Sequence, residues 1–108
     1  MKRALIIIPT YNEAENIVNI INELVAINYP DVIIEILVVD DNSTDGTAML
    51  VKNLAHQRVH IIERPGKMGL GTAYIKGFGY AIENNYDYVF EMDADFSHDP
   101  EAIPGFLD

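Results

Sequence analysis

The run "YVFEMDADFSHDP", residues 88–100, drives an apolar segment straight into Asp93, Ala94 and Asp95. At the end of an extended strand, residues i and i+2 project to the same side, so Asp93 and Asp95 would aim two carboxylates at one point while Ala94 faces away. Carboxylates held that close repel each other unless a cation lies between them. Hard oxygen donors of this kind suit Mg²⁺ or Mn²⁺, and His98 could add a nitrogen that would favour Mn²⁺. A divalent ion so held can grip a diphosphate and stabilise it as a leaving group. An isolated Asp-x-Asp more often caps a turn; a second acidic loop in the same chain weighs against that here.

That second loop is "DDNSTDGT". Asp40 and Asp41 follow the apolar "IEILVV", the position where a carboxylate commonly hydrogen-bonds a ribose hydroxyl in nucleotide-binding α/β sheets. For Asn42, Ser43 and Asp45 turn formation is the preferred reading. In "PTYNE", Tyr11 and Glu13 suit one wall and one polar contact of a base pocket; equally, Glu13 suits a first-turn helix position favoured by the macrodipole. "RPGKMGLGT" offers backbone N–H groups near a helix start, with Arg64 and Lys67 as candidate phosphate partners. It is not a dinucleotide fingerprint, which would need Gly or Ala where Tyr74 stands, nor a P-loop, which needs Gly-Lys followed by Ser or Thr. His56 and His60 read as surface and strand residues, and no Ser–His–Asp arrangement suggests itself.

These loops need elements that bring them together. Apolar runs at 4–8, 33–39, 58–63 and 87–92 are rich in Ile and Val on both faces, apart from Glu35 and Glu91, as buried parallel strands are. Between them, Ala14, Ile17, Val18, Ile21, Leu24 and Val25 recur at helical spacing, as do Ala48, Val51, Leu54 and Ala55. Asn12 with Glu15 suggests a capping box, and Ser43 or Thr44 a cap for the second helix. A third helix is expected over residues 71–84, although Gly77 and Gly79 each cost roughly 1 kcal/mol against Ala. Asp99 and Pro100 look like the N-cap and first turn of a fourth, which leaves Ile103, Phe106 and Leu107 awaiting a partner. Strand and helix alternate, so right-handed crossovers collect all four acidic or Gly-rich loops at the carboxyl edge of one sheet.

Composition narrows the ligand. The chain has 108 residues, 49% of them hydrophobic, which fits one globular unit. Seventeen acidic against seven basic residues give a formal charge of −10, which argues against nucleic acid as a partner and requires a cation between this protein and any polyanion. Without Cys there is no disulfide or thiolate chemistry, and cytoplasmic residence is allowed. No segment approaches the roughly 18–20 apolar residues of a membrane span.

Together, "IIIPTYNEAENI", "ILVVDDNSTDGT", "RPGKMGLGTAYIKGF" and "MDADFSHDP" closely resemble the family 2 glycosyltransferases, and within them the dolichol-phosphate (polyprenol-phosphate) mannosyltransferases. The resemblance spans residues 1–108 as the nucleotide-sugar-binding part of a domain incomplete at its carboxyl end. It implies a GT-A fold, a Rossmann-like three-layer α/β/α arrangement with a mainly parallel sheet. It implies inverting transfer of mannose from GDP-mannose to a polyprenyl phosphate, at the cytoplasmic face of a membrane. By the same resemblance Pro9, Tyr11, Glu13, Val39 and Asp41 line the nucleotide site, while Asp93, Ala94 and Asp95 meet the diphosphate. The resemblance likewise implies that Asp93 and Asp95 hold Mg²⁺ or Mn²⁺ and form the catalytic pair. Some relatives carry Gln where this chain has Ser97. A front half alone is expected to bind donor, to transfer nothing and to self-associate.

Two other classes compete. "ILVVDDN" is similar to the acidic pair of signalling receiver domains, but a receiver places that pair after its first strand and needs a late Lys that is absent here. The other is a fragment that binds nucleotide without catalysis.

Overall fold

The computed structural model describes residues 1–94. Strands and helices alternate as β1 (Lys2–Thr10), α1 (Ile17–Val25), β2 (Val32–Asp40), α2 (Thr47–Leu54), β3 (Val59–Glu63), α3 (Leu70–Glu83) and β4 (Tyr88–Glu91). The fourth helix expected at Asp99 and Pro100 lies outside the described residues. All strand pairings are parallel, in the order β3-β2-β1-β4. β1 and β2 outrun their apolar runs because their ladder continues from Lys2 opposite Val32 to Thr10 opposite Asp40.

Both faces of the sheet are covered, which is why the central strands show no alternation of polar and apolar residues. Ile6, Ile8, Ile34, Ile36 and Val38 pack under Ile17, Ile20, Ile21 and Leu24 of α1 and Val51 of α2. Leu5, Ile7, Leu37 and Val39 face Ala73 and Ala81 of α3 on the other side. Each such aliphatic side chain contributes about 1.5–3 kcal/mol by leaving water. The α/β/α layering expected from the sequence is therefore present.

Gly77 explains how α3 sits so close to the sheet. A Cβ built there would fall 2.6 Å from Ile7 Cδ1, so only glycine fits between Ala73 and Ala81 on the inner stripe. Glu35, the carboxylate that breaks the apolar run of β2, is buried on the same face and fully partnered. It accepts from Arg3 Nε (2.9 Å) and Tyr86 Oη (3.0 Å) and contacts His60 Nε2 (2.8 Å). Burial pushes its carboxyl up, but these three partners outweigh that and hold it below the ordinary carboxylate range. Its cluster lies toward the amino ends of the strands.

The two helix starts differ from expectation. Asn12 and Glu15 form no capping box: α1 begins at Ile17, with Asn16 at the N-cap and no side-chain bond there. Asn12 instead adopts a left-handed φ of 55° and its carboxamide accepts from Thr44 N–H at 2.8 Å. Ser43 and Thr44 do not cap α2, whose N-cap is Gly46; Asp45 accepts from Thr47 N–H at 3.1 Å in their place. Both differences have one cause. Asn12 and Ser43 bond across to the neighbouring loop, so they are spent on joining loops rather than on their own helices, while Asp45 does both.

Candidate functional site

The strand order creates the site. From β1 the chain winds through α1 and α2 to β3 on one side, then α3 carries it across the opposite face to β4 on the other side of β1. Between β1 and β4 the successive connections diverge, and a crevice opens at the carboxyl ends of the strands. Here a cleft of about 350 Å³ is lined by Pro9, Thr10, Tyr11 and Glu13 after β1, Asp41 after β2, Lys67, Gly69, Leu70 and Ala73 at α3, and Asp93 and Ala94 after β4. A second concavity, at Ala55, His56, Gln57 and Arg58, lies on another part of the surface and has no acidic lining.

Strand alternation decides which member of the acidic pair enters the cleft. Asp40 falls in step with Ile36 and Val38 on the α1 side; Asp41 follows Leu37 and Val39 on the α3 side. Asp40 is structural: it accepts from Thr10 Oγ1 and Ser43 Oγ, each at 2.6 Å, and from Ser43 N–H at 3.0 Å. Ser43 Oγ in turn accepts from Asn12 N–H (2.8 Å), Asp45 from Ala14 N–H (3.0 Å) and Thr47 Oγ1 from Glu13 N–H (3.0 Å). The loops after β1 and β2 are thereby fixed to each other, and the turn reading of Ser43 and Asp45 fits this network. Thr47 Oγ1 also donates to Asp45, whose carboxyl is pushed up by desolvation and brought below its usual range by its bonds from Thr47 and Ala14.

Asp41 faces the cleft as a clamped anion. Arg64 Nε and Nη2 donate to its two oxygens at 2.6 and 2.8 Å, and Met68 N–H adds a bond to Oδ2 at 3.0 Å. The guanidinium also donates to Thr72 Oγ1 (3.0 Å) and to the Gly69 carbonyl (3.2 Å). Arg64 is thus committed to Asp41 and to the Gly-rich loop, which corrects its reading as a phosphate partner. Burial raises the Asp41 carboxyl, and the Arg64 and Met68 bonds more than reverse that, so it stays charged well into acid. Gly69 takes a φ of 97°, which an L side chain rarely adopts, and so turns the loop back toward Arg64.

Lys67 remains as the one cation lining the cleft among the described residues. Its ammonium stands 4.6 Å from the ring centroid of Tyr11, a cation–π contact between the loops after β3 and β1. On the far wall, β4 ends at Glu91, so Asp93 and Ala94 belong to the segment after the strand. Asp93 Oδ1 accepts from Tyr74 Oη at 2.9 Å. Ala94 is buried against the α1-side core as well as lining the cleft. Of the positions marked out in the sequence, Pro9, Tyr11, Glu13, Asp41, Asp93 and Ala94 meet here. Val39 sits in the α3-side core beneath the cleft, and Asp95 lies outside the described residues. His60 is committed to Glu35. Tyr74 was overlooked as a site residue; alternation places positions 41, 64 and 93 on the α3 face, and that pattern points to α3 as a source of partners.

The acids lining the cleft supply hard oxygen donors, the chemistry a divalent cation such as Mg²⁺ or Mn²⁺ requires. Among the described residues no group of three acidic or histidine side chains is close enough to hold one.

The model for glycosyl transferase family 2 matches residues 5–108. The chain belongs to that family. A polyprenol monophosphomannose synthase from Mycolicibacterium smegmatis is 44% identical over 110 residues, covering 99% of this chain and 40% of that protein. An undecaprenyl-phosphate mannosyltransferase from Micrococcus luteus is 46% identical over 109 residues, covering 98% and 43%. The chain therefore spans about two fifths of the length of these curated relatives. Among solved structures, the mannosyltransferase PcManGT from Pyrobaculum calidifontis, in complex with GDP-Man and Mn²⁺, matches 73% of this chain and 24% of its own at 33% identity and a TM-score of 0.66. S. aureus TarS 1–349 with UDP-GlcNAc matches 99% of this chain and 30% of its own at 26% identity and a TM-score of 0.79. The GT-A fold expected from the sequence is thus the fold of this family 2 chain. No helix among the described residues is long and apolar enough to cross a membrane.

Proposed function

We propose that the protein transfers mannose with inversion from GDP-mannose to a polyprenyl phosphate, and that residues 1–108 supply the nucleotide-sugar-binding part of the domain. The observation that carries this reading is the cleft at the β1–β4 crevice. There an aromatic ring and three carboxylates, Glu13, Asp41 and Asp93, converge from loops far apart in sequence. Tyr11 offers the nucleobase a face and Glu13 a hydrogen-bond acceptor. Asp41, ionised and held by Arg64, accepts from a nucleoside hydroxyl or N–H. Lys67 leaves the Tyr11 ring for the diphosphate when a base takes its place. Pro9 and Val39 shape the floor, and Asp93, Ala94 and Asp95 border the diphosphate.

Asp93 and Asp95 are the residues that would hold Mg²⁺ or Mn²⁺, whose charge would favour departure of GDP. The acceptor's phosphate oxygen bonds to the sugar C1 from the face opposite the C1–O bond that breaks. Being ionised at neutral pH, it needs no strong base. The names of the two curated relatives support the mannosyl donor and the polyprenyl phosphate acceptor, and PcManGT supports GDP-mannose with Mn²⁺. TarS, with UDP-GlcNAc, supports a second reading in which another nucleotide sugar is the donor. In the full protein the lipid acceptor places the enzyme peripherally at the cytoplasmic face of the membrane.

The test is incubation of the full-length protein with Mn²⁺, a polyprenyl phosphate in detergent, and either radiolabelled GDP-mannose or UDP-GlcNAc. Label extracted into the organic phase from GDP-mannose alone is expected. Transfer only from UDP-GlcNAc would replace the donor.

A further inference from the structure

Tyr74 is the residue that disqualifies the Gly-rich segment as a dinucleotide fingerprint, and the reading of the cleft gives it nothing to do. Its ring packs on the α3-side core, beside Ala73 and above the sheet, so the position of its hydroxyl is set by burial. That hydroxyl donates to Asp93 Oδ1 at 2.9 Å across nineteen positions of sequence. Asp93 stands two residues past the end of β4 and lines the cleft, so its carboxylate is oriented by side-chain contacts, of which the Tyr74 bond is one. A carboxylate turns about its last torsion unless one oxygen is anchored, and an anchored one still has lone pairs to offer a ligand.

We propose that Tyr74 is a positioning residue, which fixes the plane of the Asp93 carboxylate so that it is presented to a divalent cation. The inference rests on the reading of the cleft as a metal-assisted nucleotide-sugar site. It makes the Gly-rich segment responsible for both ends of the ligand. Arg64, Met68 and Gly69 hold Asp41 for the nucleoside, and four residues on from the helix's first position Tyr74 holds Asp93 for the diphosphate.

The experiment uses Mn²⁺ and GDP as probes. Free Mn²⁺ is followed by electron paramagnetic resonance during titration of the unsubstituted protein, Tyr74→Phe, Asp93→Asn and the double variant, each with saturating GDP; guanosine affinity is measured separately by calorimetry. Partners that orient a metal ligand typically affect metal affinity by 10–100-fold. Tyr74→Phe is expected to weaken Mn²⁺ binding about tenfold, with guanosine affinity and thermal midpoint unchanged. In the Asp93→Asn background the same change should have no further effect. Equal Mn²⁺ affinity in the protein and in Tyr74→Phe would overturn the inference alone. So would a parallel loss of guanosine affinity, which marks a general structural role, or a loss in the double variant that simply adds. No Mn²⁺ uptake by the unsubstituted protein would overturn the metal-assisted reading and this inference with it.

Discussion

Replacing Arg64 by Met keeps most of the side-chain stem and removes the guanidinium, which isolates the energetic role of the clamp on Asp41. Both side chains are only 8% exposed, and the contact is two-pronged, at 2.6 and 2.8 Å. Without Arg64, Asp41 keeps the Met68 amide and a location that disfavours charge. Breaking a buried pair by removing one partner typically costs about 3–5 kcal/mol, whereas an exposed pair is worth about 0–1 kcal/mol. For a chain of this length, with total stability on the order of 5–15 kcal/mol, the first figure is a large fraction. Urea unfolding followed by circular dichroism at pH 7 should therefore show a loss of about 3 kcal/mol or more in Arg64→Met.

The pH dependence has a definite sign. The folded-state pKa of Asp41 lies below its unfolded value, near 3.9 for an ordinary Asp, so the pair stabilises fully above that value and fades as pH falls through the folded pKa. In Arg64→Met, burial is left to act and raises the Asp41 carboxyl. The variant is then relieved by protonation, and its deficit against the parent should shrink as pH falls toward and below about 4. Adding Asp41→Asn to Arg64→Met should recover stability at pH 7 by removing the uncompensated charge. A loss under about 1 kcal/mol, or no recovery in the double variant, would refute the argument that the clamp is a buried, charge-compensating one.

Two neighbouring glycines of α3 should respond with opposite sign. Gly77→Ala forces a methyl against Ile7 and should lower stability by about 1–3 kcal/mol less the small gain in helix propensity, while Gly79→Ala meets nothing within 4 Å and should raise it by about 0.5–1 kcal/mol; thermal melts of both variants check the pair. Asp41→Ala should weaken guanosine and GDP by the same factor, since its proposed partner is the nucleoside, and calorimetry showing a loss confined to GDP would move Asp41 to the diphosphate. The 108-residue chain by itself, spanning about two fifths of its curated relatives, should give no lipid-linked label from GDP-mannose, since transfer needs both reactants oriented, a contribution of roughly 7–11 kcal/mol. It should also self-associate in light scattering, because Ile75 and Ile82 on α3 are 70% and 78% exposed and β4 is paired on one side only among the described residues. Transfer by a monodisperse monomer would contradict both expectations.

Periodicity made the layers legible: doubly apolar strands such as residues 4–8 require cover on both faces, and the spacing of Ile17, Ile21 and Leu24 marks the helix that covers one of them, while α3 covers the other through Ala73 and Ala81. The cleft's acidic wall was legible too, since residues that follow parallel strands must share one edge. Side-chain partnership was not. Asn12, Ser43 and Asp45 have the same local chemistry whether they cap a helix or bond to the next loop, and the choice depends on how β1 and β2 are paired. Arg64 read as a free cation because its partner is 23 residues away. Tyr74 read as a mere mismatch because its partner, Asp93, is reached only once the small stripe Ala73, Gly77 and Ala81 has brought α3 against the sheet.

The central claim is that a nucleotide sugar occupies the β1–β4 crevice, and amide shifts of the ¹⁵N-labelled protein titrated with GDP-mannose and Mg²⁺ test it most directly. The account predicts the largest changes at Thr10, Tyr11, Asp41, Gly69, Asp93 and Ala94, with those at Asp93 and Ala94 reduced by EDTA and those at Ala55, His56 and Gln57 negligible. Changes confined to that second concavity, or no changes at saturating ligand, would contradict it.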